Sequence, residues 1–508
     1  MKSAAAVALL EPEPSSPDKD PTPDPLADLQ RLPVPARDGW LKLILAAGLA
    51  ALLALWAWDR LRSLAAQDFA RLYLDNPSTL ILLLFSLALG VGVTIWRVGL
   101  VKAHRPAPEL GDDRAPMISV IVPAYNEGRL VMDTLLSVAA SDYPAHKMQI
   151  LAVDDGSTDD TYAWMEEASR RLGARLELIK QPSNGGKRLA LYAGFQRSRG
   201  EVLVTIDSDS LVEPTTLRRL VAPLAADPRV GAVAGNVRVL NAHEGILAKI
   251  LDVCFTYSFD FIRVAESQVE TVACTPGALS AYRRRAVWPL LNKWLEQRFL
   301  GVVAKIGEDR ALTNLVLGQG YITRLAPEAV VFTKVPVSYR PMCRMLLRWA
   351  RSNIRETLVM SRFIFTGFRA GGAKGARFNL LLSVYGMTVG EVLKVMGLYY
   401  LFMDPLNVGL KMLIGCAVAS LVPMAIYAIR HRSSDCLYAL PFVLLWVFGV
   451  SWISLYALCT PRRSAWLTRG LNGADTRVAA PALTALRPLP VPVSNRGVSA
   501  FTGRALPR

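Results

Sequence analysis

The sequence predicts an α/β domain with a mostly parallel sheet, set between α-helical membrane segments. Three observations carry that prediction. Short β-rich runs alternate with polar helical stretches over residues 117–335, which is the pattern of strand–helix–strand units. Long apolar runs lie on both sides of that region. The 508 residues are 52% hydrophobic, too long and too apolar for one soluble domain. The same apolar content excludes a disordered chain. Six cysteines are too sparse for a disulfide scaffold, so reduced thiols are expected.

In chain order, residues 1–39 form a Pro-rich tail that cannot bury a core and is expected to be disordered. The tail separates the start from the first long apolar run, which argues against a cleavable signal peptide. Residues 40–101 hold two transmembrane helices, Leu41–Trp58 and Leu80–Trp96, each near the ~20 residues a span needs. Residues 115–338 are the α/β domain, with strands at 117–123, 149–155, 176–179 and 201–207 and helices near 128–140, 158–172 and 186–198. Ligands of such sheets bind at the carboxyl ends of the strands. Residues 339–370 place Arg every three or four positions among apolar residues, predicting amphipathic helices on the membrane surface. Residues 377–430 hold two more spans, Phe378–Met403 and Val408–Ile429. Glu391 and Lys394 lie within the first, where charge is expected to face protein or water.

The apolar segment 436–459 contains Pro441 and Gly449. Read as interfacial or re-entrant, it leaves two spans on each side of the domain and keeps the Arg-rich tail 460–508 cytoplasmic, as the positive-inside rule favours. A transmembrane helix is the other reading.

Charge supports a membrane setting. Lys and Arg number 58 against 42 acids, for a net +16. Residues 340–377 carry nine basic residues against Glu356 alone, and 462–508 carry eight against Asp475 alone. Basic residues beside apolar runs point to anionic lipid rather than nucleic acid.

Three acidic stations carry the chemistry. Asp154-Asp155 follows one strand, Asp207-Ser208-Asp209 follows another, and Glu308-Asp309-Arg310 comes about a hundred residues later. Two carboxylates two residues apart can share a hard divalent cation that also binds phosphate. A separate carboxylate can act as base toward a hydroxyl. Together these are the equipment for glycosyl transfer from a diphosphate donor. Tyr125 ends the first strand where a nucleotide ring could stack, and Asn184-Gly185-Gly186-Lys187-Arg188 opens a helix with cations for a diphosphate.

IVPAYNE, VDDGSTD, IDSD and GEDR, in this order, resemble family 2 glycosyltransferases of the GT-A fold. Within them, NGGKRLALYAGF (184–195), GNVRVLN (235–241), CTPGALSAYRR (274–284), KWLEQRFLG (293–301), IGEDRALTN (306–314), MLLRW (345–349) and AWLTR (465–469) resemble membrane-embedded processive synthases of hyaluronan, chitin and chitooligosaccharides. The resemblance implies that Asp154 or Asp155 contacts the uridine. It implies a Mg2+ or Mn2+ ion on Asp207 and Asp209, and Asp309 as the base. Arg348 and Trp349 resemble the RW pair that serves the diphosphate and the acceptor sugar. Tyr125, Glu127, Lys187, Arg188 and Arg310 join the nucleotide-sugar site. Cys274, Gly277 and Trp294, with Trp466, Thr468 and Arg469 of the gating segment, belong to the acceptor side.

The implied activity is processive, inverting polymerisation of sugars from UDP-sugar donors, with export of the polysaccharide, of hyaluronan-synthase type. A single-sugar transferase acting on a lipid carrier and a chitin- or glucan-type homopolymer synthase are the alternatives. The implied location is the cell membrane, with the catalytic domain cytoplasmic; export partner proteins are left open. Departures from the family pattern leave the sugar unspecified: Met345 and Leu346 in QxxRW, Leu467 in WGTR, and Glu308 in GDD. Lys187, Arg188, Arg238, Arg283 and Arg284 are the cations that would suit an acidic sugar or the diphosphate.

Overall fold

The computed structural model describes residues 38–63 and 77–463. The proline-rich tail and the Trp466–Arg469 segment lie outside the described residues. Two long helices, α1 (Gly39–Ser63) and α2 (Pro77–Lys102), precede the sheet domain. The first four strands fall close to the predicted positions: β1 (Ile118–Ala124), β2 (Met148–Asp154), β3 (Leu176–Lys180) and β4 (Val202–Ile206). Between them run α3 (Leu130–Ala139), α4 (Thr161–Leu172) and α5 (Lys187–Arg197). Every residue of β1 is buried, as befits a parallel strand covered on both faces. Its side chains alternate between two cores: Ile118, Val120 and Val122 face one, Ile121 the other.

The rest of the sheet departs from the prediction. Four strands follow that the sequence patterning left unassigned: β5 (Ser210–Val212), β6 (Val230–Val239), β7 (Leu279–Arg283) and β10 (Ile322–Thr333). The eight strands lie in the order β3-β2-β1-β4-β7-β6-β10-β5. Pairs β1–β2, β1–β4, β2–β3 and β6–β10 are parallel, whereas β4–β7, β6–β7 and β5–β10 are antiparallel. The sheet is therefore mixed. Only residues 207–209 separate β4 from β5, a connection that reaches about 14 Å at full extension. Four strand steps across a flat sheet measure about 19 Å. The sheet must curl into a half-barrel, and the Asp207-Ser208-Asp209 connection spans its opening.

Around this sheet lie α6 (Thr216–Ala226), α7 (Ile246–Tyr257), a π turn (Ser258–Arg263), α8 (Leu291–Leu295) and the small ribbon of β8 (Arg298–Phe299) and β9 (Val302–Val303). Helix α9 (Glu308–Gly318) carries the third acidic station. Helix α10 (Tyr339–Ser361) follows the sheet, then α11 (Lys374–Met387), α12 (Val389–Met403) and α13 (Pro405–His431), and α14 (Trp452–Cys459) is the last helix among the described residues.

Four helical stretches are long and apolar enough to cross a membrane: Gly39–Trp58, Pro77–Lys102, Lys374–Met403 and Pro405–His431. Only 6% of each of the first three is buried by protein, so their apolar surfaces need another cover, which lipid would supply. Ser434–Gly449 and Trp452–Cys459 form a pair bent by 42°, the geometry of a broken span or a re-entrant loop. At the break, Tyr339 donates to the Gly449 carbonyl at 2.5 Å. Lys394 pairs with Glu391 at 2.6 Å and donates to the Ser454 hydroxyl at 2.5 Å, so both charges face protein.

Helix α10 divides its arginines between two faces. Arg351, Ser352, Arg355, Glu356 and Thr357 are buried beside Met342, Met345 and Ile354, while Arg340, Arg344, Trp349 and Leu358 are exposed. Buried Arg351 has a protein partner: it donates to Thr460 Oγ1 at 3.2 and 3.0 Å.

Candidate active site

The site is built at the carboxyl ends of β1, β2 and β4. The Asp155 amide donates to the Ala124 carbonyl at 2.9 Å, extending the β1–β2 ladder by one residue. Asp155 is buried, and its carboxylate receives the Gly185 and Gly186 amides at 3.0 and 2.8 Å. Burial pushes its pKa up to about 6, against the pull of those two donors. Asp154 is fully buried and caps the adjoining turn through the Ser157 amide at 3.1 Å. Gly156 has φ +72°, and a Cβ there would come within 2.5 Å of the Ser183 backbone, so the two loops touch only because this residue is glycine. Across from them, the Glu127 and Gly128 amides donate to Thr161 Oγ1 at 2.8 and 2.9 Å. Half-buried Tyr125 precedes this tied loop, at the end of β1.

Lys187 joins the second and third stations. Its ammonium is paired with Asp207 and lies 3.5 Å from Glu308. Burial disfavours the charge, but Asp207, Glu308 and Asp309 outweigh it and hold the pKa above the usual lysine value. Gly277 forms the wall beside this pair: a Cβ there would lie 2.5 Å from Lys187 Nζ. Asp209, half-buried, receives the Ser210 and Thr333 hydroxyls at 3.4 Å each. Thr333 ends β10, so the curl of the sheet delivers Asp209 to its place.

Asp309 stands in the first turn of α9. Burial and the neighbouring Glu308 raise its pKa, while Lys187 and Arg348 oppose the rise. Its own carboxylate receives the Arg310 amide at 2.7 Å, and the Cys274 thiol lies 3.7 Å from Oδ2. Burial and Asp309 push the thiol pKa up, so Cys274 stays protonated as a weak donor. The Thr313 hydroxyl donates to the Asp309 carbonyl at 2.8 Å and receives the Thr275 amide at 3.1 Å. Trp349 is 44% exposed, with its ring centroid 6.1 Å from that of Phe255, so one aromatic surface remains open to solvent.

Three of the expected site residues bond to neighbouring protein groups. Arg188 is buried and donates from Nη1 to the Trp294 carbonyl at 2.7 Å and Gln297 Oε1 at 3.1 Å, with its pKa lowered to about 10 by burial. Its Nε and Nη2 are buried without a hydrogen-bond partner. Trp294 is fully buried, and its indole donates to the Glu308 carbonyl at 2.8 Å, so no ring face is left for a sugar. Arg310 extends to Thr357 Oγ1 at 3.3 Å, toward α10. Sequence patterning also missed Arg355 and Glu356, which hold the turn before Asp309. The signal was available: Arg348, Ser352 and Arg355 are four and three residues apart, hence on one helical face.

Among the described residues no group of three or more His, Cys, Asp or Glu side chains is arranged to hold a metal ion. The pair Asp207 and Asp209 offers at most two carboxylates. That fits a cation whose remaining ligands are water and donor phosphate, as magnesium prefers.

Residues 119–291 match Glycosyl transferase family 2. The chain is 34% identical over 373 residues to an N-acetylglucosaminyltransferase of Mesorhizobium japonicum, covering 72% of this chain and 85% of that one. It is 32% identical over 406 residues to an N-acetylglucosaminyltransferase of Rhizobium meliloti, covering 78% and 92%. A mannosyltransferase structure from Pyrobaculum calidifontis aligns at 22% identity with a TM-score of 0.48, over 73% of this chain and 98% of that one. The curled mixed sheet, the acidic residues gathered at its open end and the extent of the family and relative matches lead to one conclusion: the chain belongs to glycosyl transferase family 2 and is a glycosyltransferase.

Proposed function

We propose that the protein is a membrane-embedded, processive N-acetylglucosaminyltransferase that builds a chitin-type chain from UDP-N-acetylglucosamine. The observation that carries this reading is the Lys187 junction, which gathers Asp207, Glu308 and Asp309 around one half-buried cation beneath the opening of the half-barrel. A donor diphosphate at Asp207–Asp209 then lies on the same cluster as the base.

The choice of sugar rests on two supports. Both relatives described above are named N-acetylglucosaminyltransferases. In addition, three of the five cations that would suit a uronate are occupied. Arg283 donates to the Val230, Leu224 and Asp227 carbonyls, and Arg284 to the Ser198 carbonyl. Arg238 pairs with Asp260 at 2.5 Å. A neutral sugar needs none of them. The hyaluronan-type expectation, which requires glucuronate, therefore yields to the homopolymer alternative.

In the mechanism, Asp309 removes the proton from the acceptor hydroxyl, which attacks the anomeric carbon from the face opposite UDP, inverting the linkage. Its raised pKa suits a base working near neutral pH. Lys187 and Arg348 offset charge on the departing diphosphate. Asp209, backed by Asp207, would hold a Mg2+ or Mn2+ ion, which supplies Lewis-acid stabilisation of that leaving group. Trp349 offers its exposed face to the acceptor sugar, a contact that makes little demand on hydroxyl pattern and lets the chain slide.

The test is UDP release by the purified protein in lipid nanodiscs, with UDP-N-acetylglucosamine, UDP-glucose and UDP-glucuronate supplied singly and in pairs. Rapid release with UDP-N-acetylglucosamine alone is expected, unchanged by the other two donors. Release that requires UDP-glucuronate would return the assignment to an alternating polymer.

A further inference from the structure

Helix α10 and the turn that presents Asp309 are built as one body. Gly307 has φ +68°, and a Cβ there would meet Ser352 Oγ at 1.8 Å and Arg355 Nη2 at 3.0 Å. No other residue type lets α10 approach so closely. Arg355 Nη2 donates to the Ile306 carbonyl, the residue just before that glycine. On the other side of the turn, the Trp294 indole holds the Glu308 carbonyl. The carbonyls flanking Gly307 are thus both fixed.

The anchor beneath Arg355 is unusual. Arg355 Nε donates to Glu356 Oε1 at 3.1 Å, and Glu356 is fully buried. Gln297 donates to the same oxygen at 3.0 Å, while Asn314 of α9 donates to Oε2 at 3.1 Å and to the Glu356 carbonyl at 2.8 Å. A buried ion pair is weak evidence for stability, since well-packed apolar residues usually serve as well. It does fix geometry, because every donor and acceptor demands its partner. Here it fixes the distance between α9, which carries Asp309, and α10, which carries Arg348 and Trp349.

We infer that Arg355, anchored by Glu356, is a positioning residue that sets the proposed base against the acceptor platform. The inference rests on the reading of Asp309 as base. Arg355 bonds to protein groups, the Ile306 carbonyl and the Glu356 carboxylate. It acts by holding the Ile306-Gly307 backbone, so that the carboxylate and the Trp349 face keep one spacing through successive additions.

The experiment uses the full chain in nanodiscs with UDP-N-acetylglucosamine, measuring kcat, donor KM, UDP affinity and thermal unfolding for three variants. Arg355→Lys keeps the charge but cannot reach both Ile306 and Glu356. It is expected to lower kcat ten- to a hundredfold, with donor KM and UDP affinity within twofold of wild type. Glu356→Gln, which places an amide donor against Asn314, is expected to show the same split, with a five- to twentyfold loss. It serves as the readout if Arg355→Lys does not fold. Wild-type kcat in either folded variant overturns the inference, as does a parallel loss of kcat, UDP affinity and melting temperature. Asp309→Asn separates the two claims: if it turns over like wild type, the base assignment itself fails; if it is inactive while Arg355→Lys is normal, only the positioning claim fails.

Discussion

The two halves of the curled sheet are built by different means. In β3-β2-β1-β4 all strands are parallel, and each functional group follows its strand directly in sequence: Tyr125 after β1, Asp155 after β2, Asp207 after β4. Their contacts are made among neighbouring strand ends, as when Asp155 holds the Gly185 and Gly186 amides. In β7-β6-β10-β5 the strands are mixed, and no strand end supplies the proposed base. Asp309 comes instead from a helix that α10 clamps, through Arg355, Glu356 and Asn314. On the proposed assignment, the donor side is a property of strand ends, whereas the acceptor side is a property of helix packing. Substitutions in the first half are therefore expected to act on donor binding, and in the second on turnover.

The largest effect expected is at the base. Asp309→Asn should lower kcat by about 10²–10⁴-fold, the usual contribution of a positioned base, with UDP affinity preserved in titration calorimetry. A comparable loss of UDP affinity would break the division between halves. Asp209→Asn lies in the connection that links them and should lose about 10²–10³-fold in kcat, as when a group that stabilises developing charge is removed. Its residual rate should respond weakly to Mg2+ or Mn2+ across a concentration series.

Asp155 sharpens the donor side. Its pKa stands near 6, above the ordinary aspartate value, because burial favours the neutral form. If Asp155, rather than Asp154, receives the uridine, protonation weakens it as an acceptor and adds a donor, so donor KM should rise as pH falls through about 6, with kcat little changed. Asp155→Asn should raise donor KM about ten- to a hundredfold, the worth of a hydrogen bond to a charged group, and abolish that pH dependence. For stability the sign is the reverse: this carboxyl is easiest to bury when protonated, so its contribution is full below the unfolded-state pKa and is lost as pH rises toward 6.

The smallest effect expected is structural. Gly307→Ala combines a left-handed backbone, costing about 1–2 kcal/mol for a residue with a Cβ, with the clash against Ser352. Thermal unfolding should drop by several degrees, and adding Ser352→Gly should recover part of that drop. No recovery would mean that the close approach of α10 is not what makes this position glycine.

How much of this could be read beforehand follows the same division. Strands β1 to β4 were legible because parallel strands buried on both faces read as apolar runs, and the acids stood at their ends. Strands β6, β7 and β10 were not, because their pairing is long-range and their sequences, GNVRV or LSAYR, mix polar residues that partner in the interior; Asn236, for instance, donates to Asp260 at 2.8 Å and to the Pro327 carbonyl at 2.9 Å. The same limit applies to Arg188 and Trp294. A cation or a tryptophan inside a motif looks the same whether it faces ligand or holds a backbone carbonyl, and only packing tells them apart. The arginines of α10 pose a related difficulty: their spacing gives a face, not what the face meets.

The most direct test of the account is the mass spectrum of the product made by the purified, lipid-embedded protein from UDP-N-acetylglucosamine as sole donor. The account predicts a ladder whose members differ by single N-acetylhexosamine units and extend to many additions. A product that stops after one sugar, or that grows only when a second donor is supplied, would contradict it.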